Sequence, residues 1–379
     1  MTPLIAADVT AIVLVTCLML AVPAMAGPTT PFGVRVSHAR AGDPAVIAQR
    51  RAYARLALAA GACAVAVSVP LLVRGGSASV VGATATALVV ADLLLYWRSA
   101  RRLRAVKLAG GWRDEQRQGV TVNTTFRTDP VRLPWSWTLP GAATLLLTAG
   151  LGWWRYGDLP ATLPRFSGYG VDAARREPVT VLTAFAPVMY QLAVTLLILA
   201  VTLLLLRARP DLDAARPVGS ARRYRVYLGG MARLSLLGVA CLNLGLLASA
   251  LRLWTVVAPS TLWTVVTYLP SVGLLVAWLV WESRVGHAGH RLPALPGEED
   301  EDSGVTQRDD DRHWFLAGTV YVNRRDPAIL LHARIGASWT VNLGHPVAWA
   351  LLAVLAVLAG AGLLAALGVI DLPVRQSGF

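Results

Sequence analysis

Charged residues are scarce in this chain. Only 15% of its 379 residues are Asp, Glu, Lys or Arg, whereas an ordinary soluble domain has about 25%. Hydrophobic residues make up 55%, and the mean hydropathy is +0.54. This composition argues against a soluble globular domain and indicates a protein with membrane-spanning segments.

Residues that bind metals or form disulfides are also rare. The three cysteines, Cys17, Cys63 and Cys241, all lie inside apolar runs without CxxC spacing, so we interpret them as small apolar core residues. His287 and His290 stand three apart, but no third ligand follows at a spacing typical of zinc sites. We therefore expect no metal site and no cofactor.

Catalytic motifs are missing as well. The chain contains no HExxH, GxSxG, Walker A or dinucleotide-binding pattern. Ionisable residues inside apolar runs, which mark function in membrane proteins, are limited to Asp8, Asp92 and Arg233. Asp92 and Arg233 would pair if they lie at similar depth; the alternative is a snorkelling Arg233 and an interfacial Asp92. Gln191 and Asn243 are predicted to hydrogen-bond between helices, and we expect a protein that is not an enzyme.

Long apolar runs are what the sequence has in abundance. Each has about the twenty residues that a helix needs to cross a hydrocarbon core of about 30 Å. Because a backbone in lipid must hydrogen-bond to itself, the runs are expected to be helices. The predicted fold class is an all-α integral membrane protein with eight transmembrane helices. The predicted spans are 4–26, 55–73, 78–96, 134–154, 183–206, 228–251, 261–280 and 346–368.

The first run raises the question of a signal peptide, because it ends in the cleavage-like pattern VPAMA. Its first residues carry no Lys or Arg, and basic residues such as Arg35 and Arg40 come after it. A cleaved signal peptide has the opposite polarity. We expect an uncleaved first span with the N-terminus outside.

Basic residues then orient the remaining spans. With the N-terminus outside, the loops 27–54, 97–133, 207–227 and 281–345 are cytoplasmic, and together with Arg55 they hold 27 of the 35 Lys and Arg residues. This bias follows the positive-inside rule. The net charge of +13 therefore indicates the lipid bilayer as a partner and not nucleic acid. The predicted location is the cell membrane, multi-pass, with both termini outside.

Similar loops suggest an internal duplication. QRRAY (49–53) precedes the second span and ARRYRVY (221–227) precedes the sixth, and both long cytoplasmic loops run from Asp-Pro to Ser-Trp-Thr. Four spans per half preserve orientation, so the sequence predicts two parallel four-helix repeats. The predicted domains are the first repeat (1–154), a proline-containing outer segment (155–182), spans five to seven (183–283), an acidic linker (284–312), a cytoplasmic module (313–345), and the eighth span with an outer tail (346–379).

The last cytoplasmic loop changes composition midway. Residues 284–312 are polar, contain the runs EEDED and DDD, and are predicted as a solvated, disordered linker, with a metal site or a basic partner as the alternative. From His313 onward the chain is rich in aromatic and β-branched residues, which predicts a small β-hairpin-like unit with strands in WFLAGTVYVN and SWTVNL. Pairing of this unit with the similar piece at 119–127 is a further hypothesis.

The segment YGDLPATLPRFSGYG (156–170) joins the fourth and fifth spans. Leu159 and Leu163 each precede a proline and so favour extended backbone, while Pro160 and Pro164 provide no N–H group. A stiff, extended outer segment is therefore predicted. A passive linker and a binding lip are the two interpretations.

The same segment resembles the LPxxxPxHF signature of a bacterial multi-pass membrane family of unknown function, a domain that also occurs in SdpI-type immunity proteins. The family's histidine has no counterpart, since Arg165 follows Pro164 directly. The resemblance implies a membrane protein that protects against a secreted peptide. The residues that fit, and that form the candidate outer motif, are Tyr156, Leu159, Pro160, Leu163, Pro164, Phe166 and Gly170.

A second resemblance covers 311–349, where DRHW…VYVN…DP…ARIGASWTVNLGHP is similar to a small C-terminal module of unknown function from actinobacterial relatives of that family. PFGVRV (31–36) and the order of the spans extend the likeness. The residues that fit, and that form the candidate cytoplasmic module, are Trp314, Tyr321, Asn323, Asp326, Pro327, Gly336, Trp339 and Asn342.

Together these observations lead to three functional hypotheses. The first is a non-enzymatic protein of the bacterial cell envelope, sensing or immunity-like, that binds an extracellular peptide or lipid through the segment between spans four and five. The second is a transporter of a small or amphipathic solute between the two repeats. The third is a scaffold for another membrane protein.

Overall fold

A computed structural model describes residues 2–112, 118–119, 125–210, 212–335 and 338–366. The described residues are mostly helical and form α1 (Thr2–Met25), α2 (Pro44–Val73), α3 (Ala78–Ala109), α4 (Thr125–Thr128), α5 (Leu139–Arg155), α6 (Val181–Ala184), α7 (Ala186–Leu205), α8 (Pro217–Leu253), α9 (Thr261–Val285) and α10 (Pro346–Ala366). Eight short strands are β1 (Gln118–Gly119), β2 (Thr162–Ser167), β3 (Gly170–Pro178), β4 (Thr306–Gln307), β5 (Trp314–Phe315), β6 (Val320–Tyr321), β7 (Leu330–His332) and β8 (Trp339–Val341).

Six of these helices are long and apolar enough to cross a membrane, namely α1, α2, α3, α7, α8 and α9. Each of them overlaps a predicted span. The other two predicted spans coincide with α5, a helix of 17 residues, and with α10. The structure thus supports a membrane protein built from apolar helices, and crossing by all eight stays a prediction.

The described chain divides into two compact units whose membership differs from the predicted sequential halves. The first unit comprises Met1–Pro23, Thr29–Trp112 and Asp309–Phe379; the second comprises Ala24–Pro28 and Arg113–Arg308. Accordingly α5, the predicted fourth span, groups with α7, α8 and α9, while α10 belongs to the first unit. Each unit contains one of the two helices that follow a Ser-Trp-Thr sequence. This is compatible with a duplication, which stays a prediction.

Helix α8 is the central element of the second unit. Its small residues let neighbouring elements approach closely, which is how helices associate in membranes. A Cβ atom added at Gly230 would lie 1.9 Å from the Trp281 ring of α9, and one added at Gly152 of α5 would lie 2.8 Å from the Trp254 ring. The indole of Trp254 is fully buried and donates a hydrogen bond to the carbonyl of Ala184.

An aromatic cluster forms the core of the first unit. Phe32, Tyr53 and Tyr96 have ring centroids 5.2–5.8 Å apart in tilted or edge-on arrangements, and all three are buried. Phe32 lies in the turn of PFGVRV with φ 50°, followed by Gly33 with φ 72°. A Cβ atom on Gly33 would lie 2.0 Å from the carbonyl oxygen of Ala317, so this contact requires glycine.

The cytoplasmic module predicted at 313–345 contains two small antiparallel pairs. Strand β5 pairs with β6 and β7 pairs with β8, and a single parallel bridge between Tyr321 and Asn342 connects them. A single pair of strands is only marginally stable in water. The bridge connects the two pairs to each other. The predicted pairing with 119–127 is not what the described residues show, because β1 pairs with Thr306–Gln307 instead; 120–124 lie outside the described residues.

The segment predicted as a solvated linker makes specific contacts. The Glu301 carboxylate accepts hydrogen bonds from the backbone N–H groups of Val218 and Gly219 at the start of α8, and Glu298 accepts two from Arg222. Carboxylates are favourable at this position because the first N–H groups of a helix lack helical partners. The structure therefore differs from the prediction here, since part of the negative charge satisfies this helix terminus.

Close packing at α8 leads to a stability prediction. A Cβ atom on Gly245 would lie 2.4 Å from the Tyr169 ring and 2.6 Å from the carbonyl oxygen of Thr267. We expect Gly245→Ala to destabilise the protein by about 1–3 kcal/mol, as overpacking typically does. Gly273→Ala on α9 is the control, because nothing lies within 4 Å of its added Cβ. Unfolding in mixed detergent micelles measures both; equal midpoints for the two variants would contradict this packing.

Candidate functional site

Residues 162–178, called the hairpin from here on, form the most distinctive feature of the predicted outer segment. Strands β2 and β3 pair antiparallel around a two-residue turn at Gly168 and Tyr169. Gly168 has φ 74°, which suits the first position of a type II′ turn. The predicted extended backbone is thus present, in the form of a hairpin.

The tip of the hairpin lies between α8 and α9. The Tyr169 hydroxyl donates a 2.9 Å hydrogen bond to the carbonyl of Leu242, which lies about 16 Å from the end of α8 at 1.5 Å per residue. Ser249 donates to the carbonyl of Tyr169, and the Tyr169 ring stacks on Tyr268 with centroids 5.8 Å apart. These contacts satisfy the Tyr169 hydroxyl and the carbonyl of the turn from within the protein.

Most residues of the candidate outer motif anchor the hairpin instead of projecting from it. Leu163 is buried against Ala250, Leu253 and Trp254, and Pro164 is buried as well. Tyr156, Leu159 and Phe166 pack partly buried on the same cluster. Of the remaining two, Pro160 is exposed and Gly170 closes the turn. The motif therefore explains how the hairpin attaches to α8.

The second strand of the hairpin carries the exposed surface. The pairing passes from Pro164–Arg176 directly to Arg165–Asp172, so Ala173, Ala174 and Arg175 bulge outward. Arg175 has a side chain that is 69% exposed and lies 3.9 Å from Asp172. Such an exposed ion pair contributes little to stability, which leaves these groups available to a ligand.

Polar side chains inside the second unit connect three of its helices. Gln191 of α7 donates to the Thr148 hydroxyl at 2.9 Å and to the carbonyl of Asn243 at 2.8 Å. Asn243 of α8 donates to the carbonyl of Gly141 and to the Thr195 hydroxyl. The predicted interhelical role of Gln191 and Asn243 is thereby confirmed.

The intramembrane ionisable residues lie in different surroundings. Asp92 of α3 is fully buried, and neither of its oxygens has a hydrogen-bond partner among the described residues. Asp8 of α1 is also fully buried and accepts a hydrogen bond from Ser68. Arg233 lies exposed on α8 in the second unit. Its snorkelling and its pairing with Asp92 both stay predictions.

In the C-terminal module, Asn342 is the central hydrogen-bonding residue. Its amide nitrogen donates to the carbonyls of Asn323, Asp326 and Ala328, and its oxygen accepts from the N–H groups of Asn323 and Gly344. The Tyr321 hydroxyl donates to Asp326 at 2.8 Å. These contacts fix the loop between β6 and β7.

The other candidate residues of this module differ in how far they are buried. Trp314 is buried against Tyr321 with centroids 4.9 Å apart, Trp339 is half-buried against His332, and Pro327 is exposed. Gly336 lies outside the described residues. The structure thus brings Trp314, Tyr321, Asn323, Asp326 and Asn342 together as a packed structural unit.

A buried group of charges anchors this module to α3. Lys107 is 5% exposed; its ammonium group lies 2.8 Å from Asp309 and 2.7 Å from Asp311, and donates a 2.6 Å hydrogen bond to the carbonyl of Arg35. The carboxylate of Asp311 also accepts from the backbone N–H of Arg35. The DDD run predicted as solvated linker is therefore buried in part.

Arg334 completes this group. Its guanidinium pairs with both Asp310 and Asp311, donates to the carbonyl of Gly33 at 3.1 Å, and lies 4.8 Å from the centroid of the Trp314 ring. Several partners for these buried charges offset part of the cost of removing them from water. The ion-pair cluster, as we name it, consists of Arg35, Lys107, Asp309, Asp310, Asp311 and Arg334.

These contacts lower the pKa values of two carboxyl groups in the loops. Burial alone would raise the pKa of Asp311, but the charges of Arg334 and Lys107 outweigh it and hold that pKa well below its usual value. Hydrogen bonds from Arg222 lower the pKa of Glu298 to about 2. Both carboxyl groups are therefore ionised at neutral pH.

Sequence reasoning missed the ion-pair cluster and the role of Tyr169. A signal for the cluster was present, because Lys107 is the chain's one lysine and DDD directly precedes the aromatic module. Composition favoured a disordered linker, since it does not reveal which charges meet in space. In the described parts of the chain, no group of three or more His, Cys, Asp or Glu is arranged to hold a metal ion.

Comparison with known proteins gives one short match. A model of a family of unknown function (DUF5808) matches residues 324–349, which include Arg334 and Asn342. No curated protein and no solved structure matches. The match agrees with the resemblance of the C-terminal module to a module of unknown function and does not extend to the outer segment.

The ion-pair cluster leads to a mutational prediction. Lys107→Met removes the cation shared by Asp309 and Asp311, and loss of one partner from a buried ion pair typically costs about 3–5 kcal/mol. Arg102→Met on the same helix is the control, because Arg102 is exposed. Detergent-based unfolding measures both variants. Similar midpoints for the two would show that Lys107 does not anchor the module.

The same cluster predicts a pH dependence. Because the folded pKa of Asp311 is lowered, its stabilisation is present above the unfolded pKa of about 4 and is lost as pH falls toward the folded value. The stability difference between wild type and Lys107→Met should stay constant from about pH 7 to 5 and shrink below about pH 4. An undiminished difference at the lowest pH that the protein tolerates would contradict this.

Proposed function

We propose that this chain is a non-enzymatic integral membrane protein of the bacterial cell envelope whose hairpin binds an extracellular peptide or lipid. In this proposal eight helices cross the bilayer as two parallel repeats, and both termini and the hairpin lie outside. The observation that carries the proposal is the contrast within the hairpin. Its tip is fixed between α8 and α9, while the bulge at Ala173–Arg175 is exposed.

Several features support binding over a purely connecting role. A passive connection between α5 and α7 does not require a tyrosine whose hydroxyl reaches a carbonyl about 16 Å from the end of α8. Rigid anchoring reduces the conformational entropy that a ligand must overcome, so a preorganised hairpin is a favourable binding element. Exposed Trp153 and Trp154 at the end of α5 suit a membrane interface close to the hairpin.

The likeness to SdpI-type immunity proteins supports a secreted peptide as the ligand. This likeness is carried by the motif residues that anchor the hairpin. It therefore indicates how the segment is built, and not which residues contact a ligand. Specificity would then come from the exposed bulge, which presents Arg175 and Asp172.

A strain that lacks the protein tests this proposal with a panel of secreted membrane-active peptides. Wild-type protein should restore resistance to at least one peptide, and Arg175→Ser should reduce that restoration about tenfold or more, since the exposed guanidinium would contact the ligand. Arg74→Ser is the control, because Arg74 is an exposed arginine in the turn after α2. Unchanged susceptibility of the deletion strain to every peptide would contradict an immunity role.

A transporter of a small or amphipathic solute is the second candidate. It is supported by the buried carboxyl groups of Asp8 and Asp92, since ionisable residues inside membrane helices mark ion and substrate pathways. Flux of a solute into proteoliposomes that Asp92→Asn abolishes would favour transport. Flux that is unaffected by Asp92→Asn would remove the support that this residue gives.

A further inference from the structure

In the described part of each unit, one buried carboxyl group accepts no hydrogen bond at either oxygen. Asp92 in α3 is 0% exposed and Glu282 in α9 is 1% exposed. Within the described parts of the chain, no hydrogen bond reaches either oxygen of either residue. Because an ionised carboxylate in this environment is strongly disfavoured, such a group takes up a proton.

The two carboxyl groups occupy comparable positions. Tyr53, nine residues after the start of α2, lies close enough to Asp92 for the carboxylate charge to act on its hydroxyl. Tyr227, ten residues after the start of α8, has the same relation to Glu282. Both α2 and α8 begin at a proline, and both tyrosines are buried.

The positions along the helices differ, since Asp92 lies in the middle of α3 and Glu282 in the last turn of α9. Asp92 lies four residues before the end of the predicted span 78–96, and Glu282 lies two residues after the end of the span 261–280. From the sequence, Asp92 is predicted either to pair with Arg233 or to lie at the interface, and Glu282 is not predicted as a site. What the two sites share is a buried tyrosine on the preceding long helix.

We infer that Asp92 and Glu282 are two proton-binding sites, one in each unit, which exchange protons in the middle of α3 and in the last turn of α9. This inference is independent of ligand binding by the hairpin. It adds a proton-linked process to the candidate functions, because a protonated carboxyl group is neutral and its deprotonated form is charged.

The surrounding groups fit protonation better than a permanent ion pair. For Asp92 the titratable neighbours are Tyr53 on α2 and Tyr96 one turn along α3, and the charge of Arg50 acts on Tyr96. None of these groups donates a hydrogen bond to Asp92 in the described structure.

Glu282 has the same character. Its charged neighbour is Arg291, whose guanidinium donates to the carbonyls of Ser283 and Ala24 and is thereby directed elsewhere. The facing group on α8 is Tyr227.

Dicyclohexylcarbodiimide, a hydrophobic reagent for protonated carboxyl groups, tests the inference on the wild-type protein in membranes. The carboxyl oxygen adds to the carbodiimide carbon as the acid proton moves to nitrogen, and rearrangement gives a stable N-acylurea without a leaving group. Mass spectrometry should find this adduct at Asp92 and at Glu282. Its yield should fall about fivefold or more between about pH 5.5 and 8.5, as the sites lose their protons.

Controls separate this result from its alternatives. Asp92→Asn and Glu282→Gln should each remove one adduct and leave the other, and the exposed Glu299 should remain unmodified. Absence of adducts at both sites in folded protein would overturn the inference. Protection by sodium relative to choline at equal ionic strength would also overturn it, because it would identify cation sites.

Discussion

A polar group at membrane depth must find its partner within the protein, and this constraint governs the rest of the structure. Backbone groups meet it by forming helices, which is why the apolar runs are helical. Side chains meet it through Gln191 and Asn243, which hydrogen-bond across α5, α7 and α8. The hairpin meets it as well, because Ser249 satisfies the carbonyl of its turn residue Tyr169.

The same constraint separates structural from functional polar groups. Lys107, Asp311 and Arg334 are buried, yet each has several partners, so together they act as an anchor for the C-terminal module. Asp92 and Glu282 are buried as deeply and receive no hydrogen bond from the described residues. The number of partners, more than burial itself, distinguishes the two roles.

The sequence alone predicted the elements better than their arrangement. Apolar length predicted the positions of the six helices that are long enough to cross a membrane, and composition predicted the β character of the module after His313, because both follow from local sequence. The grouping of α5 with α7–α9 depends on close contacts such as Gly152 against Trp254, which hydropathy does not encode. The contacts of Asp309–Asp311 with Lys107 span about two hundred residues of chain, and local patterns carry no information at that separation.

For the candidate site, the motif resemblance identified a segment that forms a distinct hairpin, and the binding role of its residues stays a prediction. Leu163 and Pro164 belong to the first strand of the hairpin and are buried, and Leu163 packs against α8. The exposed part is the bulge at Ala173–Arg175, which a register shift creates. Such a shift arises from strand pairing and cannot be predicted from the alternation of residue types.

Cysteine accessibility tests the proposed membrane arrangement most directly. In a chain whose native cysteines are replaced by alanine, single cysteines are placed by Ala174→Cys in the hairpin and by Asp300→Cys before the C-terminal module, two exposed positions. The account predicts that an impermeant maleimide labels the first in intact cells and the second only after lysis. Labelling of the second but not the first in intact cells would contradict it.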